Sequence, residues 1–273
     1  MISRQYRSIA FWAFFATGVP AAADVDQDVY QTKTIVTGER GETRNPGLII
    51  CFMDALVKVS GDRRLLTDPC AAALAKDAGR FVTQCRYHDR MAGKPLKDEQ
   101  GTRDRLYDLT VDFDHARLDA ALRSMGRNPW PAPRPKIVVF LAVKNTARTY
   151  VLAGDSELGS LQRESFGDAA AKYGIPVLFA PGSALQEADL RLESLVSANK
   201  GKLQVIAELS GGDVPMTGSL IWSREALDWI AEWNLSHDGH DYRWQISGVN
   251  FDAAFREAVS GAAQILSGNG QPL

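Results

Sequence analysis

Asn128-Pro129-Trp130-Pro131-Ala132-Pro133-Arg134-Pro135 sets four prolines at alternate positions near the middle of the chain. Proline fixes its own φ and pushes its predecessor extended, so neither a helix nor a central strand can run through this stretch. It predicts a semi-rigid polyproline II linker between two units. The fold must therefore be two smaller bodies: residues 24–127 and 136–268, with 128–135 as the linker and 269–273 as a tail.

The first unit reads β-α-α-β-β-α. Val29 to Val36 is rich in β-formers and stops at Gly38. Leu48, Phe52, Ala55, Leu56 and Val59 share one helical face, closed by Gly61. A second helix is expected from Pro69 to Gly79 and a strand from Phe81 to Tyr87. Tyr107, Leu109, Val111 and Phe113 alternate with Asp108, Thr110 and Asp112, the mark of a strand with one wet face. Asp114 then caps a helix carrying Leu118, Ala121, Leu122 and Met125.

The second unit reads β-α-β-α-β-β-β-α in outline. Ile137 to Val143 is apolar throughout, as in a strand covered on both faces. A short strand at Thr149 to Leu152, a helix from Leu161 to Tyr173, a strand at Pro176 to Phe179 and a helix from Lys202 to Leu209 follow. Met216 to Trp222 and Leu227 to Leu235 are strands, and Asp238-Gly239 is the dipeptide of a type I′ turn into Tyr242 to Ser247. Asn250 caps a helix with Phe251, Ala254, Phe255, Ala258, Val259, Ala262, Ile265 and Leu266 on one face. The fold class is α/β in the α+β sense: two small mixed sheets packed with helices.

Residues 1–23 have the layout of a secretory signal. Arg4 and Arg7 precede the apolar run Ile9 to Ala16, and Gly18 and Pro20 lead into Ala21-Ala22-Ala23. The run is about half the length of a bilayer span. Cleavage after Ala23 into the periplasm is the expectation, and with no Cys directly after it the chain lacks a lipoprotein signature. Without Arg4 and Arg7 the 31 Lys and Arg fall to 29 against 33 Asp and Glu, a formal charge of −4. A nucleic-acid footprint is thereby excluded. Cys51, Cys70 and Cys85 would lie in an oxidising space, where one disulfide in the first unit competes with three buried small hydrophobes. Three is odd and no C-x-x-C occurs, so the spacing fixes no pairing.

Several strings look familiar together: Val57-Lys58-Val59-Ser60-Gly61, Tyr107-Asp108-Leu109-Thr110-Val111-Asp112-Phe113-Asp114, the Trp130 to Pro135 seam, Gly218-Ser219-Leu220-Ile221-Trp222, Trp244-Gln245-Ile246-Ser247-Gly248 and Gln264-Ile265-Leu266. Together they resemble the bacterial domain-of-unknown-function family 2066 across nearly the whole mature chain. That resemblance implies no activity. The first unit is also similar, at the level of fold, to small β-α-β-β modules of envelope and flagellar assembly proteins, and fold does not fix function.

No cofactor motif is present, and each candidate for chemistry competes with a plainer reading. Gly154-Asp155-Ser156 is similar to the nucleophile block of GDS-type hydrolases, but the late Asp238-Gly239-His240 is one residue short of the base motif, so the tripeptide reads better as a polar turn. His237 and His240 flank the turn with Cα atoms about 5.5 Å apart. They would offer a metal two ligands, with Asp238 or Asp241 nearby. Asp108 and Asp112, about 13 Å apart along a strand, are too far apart for a glycosidase pair. Trp222, Trp229, Trp233 and Trp244 would form either a stacking wall for an envelope glycan or peptide, or a sheet face buried under the last helix. Arg86 to Arg105 holds six positive and four negative residues, and His88, Arg90, Arg103 and Arg105 are its candidate docking side chains. The chain thus reads as a non-catalytic periplasmic accessory factor with no membrane anchor after cleavage, binding an envelope protein or glycan. The alternative is a hydrolase using Ser156 or a metal near His237 and His240.

Overall fold

The computed structural model describes residues 28–93, 97–98, 101–102, 105–196 and 198–272. Residues 1–23, expected to be a secretory signal, and Arg103 lie outside the described residues. In the first module, β1 (Gln31–Val36) precedes the long α1 (Gly41–Ser60), then α2 (Pro69–Ala75), β2 (Val82–Asp89), a small hairpin of β3 (Lys97–Asp98) and β4 (Gly101–Thr102), β5 (Tyr107–Phe113) and α3 (His115–Ser124). The sheet has the order β1-β5-β2 and is antiparallel throughout. Leu109, Val111 and Phe113 face inward and are buried against Phe52, Leu56 and Leu118. The other face is a wet lattice in which Asp108 pairs with Lys33 and Arg90, and Asp112 with Arg86. Asp114 caps α3 by accepting from Arg117 N at 3.0 Å.

α1 starts two turns before the apolar period does. Gly41 to Pro46 is polar and contains a proline, so periodicity gives no signal there. Gly47 brings α1 down onto β1, since a Cβ would come within 2.5 Å of Val36 Cγ1. Gly61 ends α1 in the left-handed conformation with φ 73°.

The second module is built on β6 (Ile137–Lys144), whose first seven residues are buried. Then come β7 (Thr149–Val151), α4 (Ser160–Tyr173), β8 (Val177–Phe179), α5 (Gly182–Glu187), α6 (Leu192–Val196), α7 (Lys200–Leu209), β9 (Val214–Ser223), β10 (Asp228–His237), β11 (His240–Val249) and α8 (Phe251–Leu266). The order is β11-β10-β9-β6-β7, with β8 also on β6; β6 is parallel to β8 and β9. α4 and α8 cover one face, while α5, α6 and α7 cover the other over β6 and β9. Asp238 and Gly239 have φ of 48° and 76°, the type I′ geometry, and His237 opposes His240. Asn250 caps α8 by accepting from Ala253 N at 2.8 Å.

The proline-rich segment is a strap and not a spacer. Trp130 N donates to Val59 O at 2.8 Å, and the Arg134 guanidinium lies 4.4 Å over the Trp130 ring. Arg134, 8% exposed, donates to Lys58 O at 2.6 Å and to Tyr173 O at 2.5 Å. Those carbonyls belong to the last turns of α1 and α4, which have no intrahelical donor and carry negative partial charge. One buried cation thus closes a helix end in each module. Arg63 pairs with Glu257 at 2.5 Å, Gln264 accepts from Arg63 N, and Asn269 donates to Ser60 O at 2.9 Å. A solvated polyproline spacer would leave all of these groups in water; burying Arg134 and half-burying Trp130 makes the docked arrangement the stable one.

Lys58 lies in the same seam, 7% exposed, with its ammonium donating to Asp28 O and Gln31 O. Burial, with Arg134 nearby, pulls its pKa down from 10.5 to about 8. The folded state therefore releases this proton before the unfolded state does. Below pH 8 the cost of the buried charge is present in full, and as pH rises from about 8 to 10.5 that cost is relieved, adding up to about 1.4 kcal/mol of stability per pH unit. The Cys51 thiol, pushed up to about 12 by burial, acts in the opposite sense above the unfolded thiol value of 9.0. The clean window is therefore about pH 8 to 9. Denaturant titrations should show wild-type stability rising there and a Lys58→Met variant flat.

Candidate functional site

All four tryptophans of the late cluster lie on one sheet face, because Trp222 opposes Trp229, Trp233 opposes Trp244, and Trp229 and Trp233 share parity. They do not form a continuous wall. Trp233 is 0% exposed, with ring centroids 5.9 Å from Phe166 and 6.4 Å from Phe255, and Trp244 is 6% exposed with its indole N–H on Glu257 O. These two are core under α4 and α8. Trp222 and Trp229 pack edge to face at 5.3 Å where the helical cover ends, and both are half-buried.

The charged stretch is largely tied to its own base. Arg105 donates to Asp89 at 2.7 Å and Arg90 pairs with Asp108 at 3.7 Å, which removes both from the set of free docking cations. His88 is exposed on β2, opposite Asp108. Cys51 and Cys85 both pack in the first core and Cys70 is exposed; all three are unbridged.

Ser156 and Asp155 line a cleft of about 690 Å³ beyond β8, with Ser183, Gln186, Asp189 and Arg191. Ser156 Oγ accepts from Leu158 N within its own turn, and Asp155 accepts from Gly182 N at 2.8 Å, tying that turn to the start of α5. Among the described residues no histidine or lysine lines this cleft to activate a serine. At the β10–β11 tip, His240 Nδ1 sits 2.9 Å from Asp238 O and His237 lies 3.5 Å from the Asp238 carboxylate. Among the described residues no group of three or more His, Cys, Asp or Glu is placed to hold a metal.

A second cleft, of about 500 Å³, opens between α7 and the outer strands. Among the described residues α6 and α7 pack on β9 and only Lys200 in the first turn of α7 reaches β11, so most of the face of β10 and β11 opposite the tryptophans has no helix on it. That face presents Glu232, Asn234 and Ser236 from β10, and Asp241, Arg243 and Gln245 from β11. Its charges are paired: Arg243 with Glu232 at 2.7 Å, and Asp241 with Lys200 and Ser236. Thr217, Asn234 and Lys200 line the groove, with Leu195, Leu203 and Pro215 as its apolar floor. The alternation that builds it is readable in β10 and β11, but its openness depends on where two short helices stop.

An α+β chain of two docked modules, with a polar groove and no assembled catalytic constellation among its described residues, is the class these features define. A family described as a domain of unknown function (DUF8605) matches residues 22–131, the first module and the start of the strap. This corrects the resemblance to family 2066. The strings behind it are what packing demands of any such module: Val-Lys-Val-Ser-Gly is a buried helix end with its left-handed glycine, and the Asp-Leu-Thr-Val-Asp run is a strand with one wet face. No curated protein and no solved structure matches the chain.

Proposed function

We propose that this is an exported, non-catalytic accessory factor of the envelope, which holds a partner segment in the groove between α7 and the β10–β11 face. Export rests on the layout of residues 1–23. The observation that carries the binding site is the uncovered polar face of β10 and β11 beside an otherwise buried sheet. A concave surface with a short apolar floor and convergent amide, hydroxyl and paired charged groups suits an extended polar segment of a protein. The paired charges cancel, so affinity would come from hydrogen bonds and shape rather than from net attraction.

Filling the groove tests this. Asn234→Trp should lower capture of the partner from envelope extract by at least about tenfold, as expected when a central interface position is blocked. Its thermal midpoint should stay near that of the wild type. Undiminished capture by the folded variant would remove the groove from the account.

A further inference from the structure

We infer that the end of the second module farthest from the first docks on an anionic bilayer surface. The β6–β7 and β9–β10 turns lie side by side there: Lys144 is in register with Ile221, and Arg224 donates to Thr146 O at 3.3 Å. Between them is a shallow recess of about 460 Å³ bordered by Lys144, Arg148, Trp222 and Arg224. The three cations are exposed, and among the described residues none is in an ion pair. In the same module Lys200 pairs with Asp241 and Arg243 with Glu232. Glu225 is the acid within the β9–β10 turn.

Beside these charges stand apolar groups with no cover. Leu227, in the same turn, is 73% exposed and held at φ 54°, and Leu161, at the start of α4, is 68% exposed. The half-buried Trp222–Trp229 pair lies just beneath. Leucine at a tip, tryptophan one layer back and unpaired cations around them match a headgroup layer, where phosphates meet the cations and the indoles sit at the water–hydrocarbon boundary. A soluble polyanion would use the cations but gain nothing from Leu227. Among the described residues no helix is long and apolar enough to cross a membrane. The mature chain's negative balance makes the attraction local, which orients the molecule with its first module away from the surface.

Sedimentation with vesicles tests the inference. The mature protein should pellet with phosphatidylcholine vesicles containing phosphatidylglycerol, stay in solution with pure phosphatidylcholine, and be released by about 0.5 M salt. Arg148→Glu with Arg224→Glu should weaken partitioning by about tenfold or more, and Leu227→Ser by several-fold. The tryptophan emission shift on vesicles should vanish when both Trp222→Phe and Trp229→Phe are made. Asn234→Trp should bind vesicles as the wild type does, which separates this surface from the groove. Equal binding to both vesicle types, or no loss in a folded charge-reversal variant, would overturn it. So would Leu227→Ser binding unchanged while dextran sulfate competes fully, since that marks a polyanion site.

Discussion

Arg134→Ala is expected to destabilise the protein by about 3 kcal/mol and to split its unfolding into two transitions. The side chain donates to carbonyls at the ends of both α1 and α4 while stacked on Trp130. Removing it leaves two nearly dry carbonyls without donors, each worth about 1 to 3 kcal/mol, and takes the packing off the indole. The buried guanidinium carries its own desolvation cost, seen in a pKa pulled down to about 10, which offsets part of that loss. What remains across the seam includes the Arg63–Glu257 pair, the Gln264 and Asn269 contacts and the packing of Tyr173 against both cores. Arg134→Lys should recover little, because one ammonium cannot reach two helix ends as a planar fork does. Urea unfolding followed by tryptophan emission and by far-ultraviolet circular dichroism checks this. Outside the second module the sequence has Trp12 and Trp130 only, so emission reports mainly that module. Coincident transitions at the wild-type midpoint would contradict it.

Trp233→Ala carries the largest expected cost of any single core change, about 4 kcal/mol. The ring is enclosed by Phe166 and Phe255 and lies flat on Gly218, where an added Cβ would meet it at 2.3 Å. The backbone of β9 cannot close on the hole, so the cavity persists. Trp222→Ala, at the rim of the same face, should cost about 1 kcal/mol or less because solvent already reaches it. Gly218→Ala should cost about 1 to 3 kcal/mol by pushing the indole out of place. Thermal melts of the three variants would order them. Equal losses for Trp222 and Trp233 would show that the face is not divided into core and rim.

The sequence carried most of the fold because most elements announce themselves by period. β6 is apolar throughout and doubly covered, β5 alternates and has one wet face, and the α8 stripe lies on the sheet. The turn at Asp238-Gly239 and the caps Asp114 and Asn250 follow from local chemistry. α5 and α6, six and five residues long, are too short to show a period. The proline segment misled for a different reason. Local propensity describes the chain between elements, and Arg134 becomes a strap through helix ends at residues 58 and 173, which no window around 128–135 contains. The groove was missed likewise: the polar alternation of β10 and β11 is plain, but its exposure depends on how far α7 reaches. The tryptophans drew attention by number alone, and register places two in the core and two at the rim.

We propose the β10–β11 face beside α7 as the place where a partner is held. A photo-crosslinking amino acid at Asn234, compared with the same group at Arg123 on the solvent side of α3, tests it most directly in intact cells. Position 234 should give a discrete crosslinked species, lost when Lys200→Glu breaks the groove wall, and position 123 none. No crosslink at 234, or the same species from both positions, would contradict it.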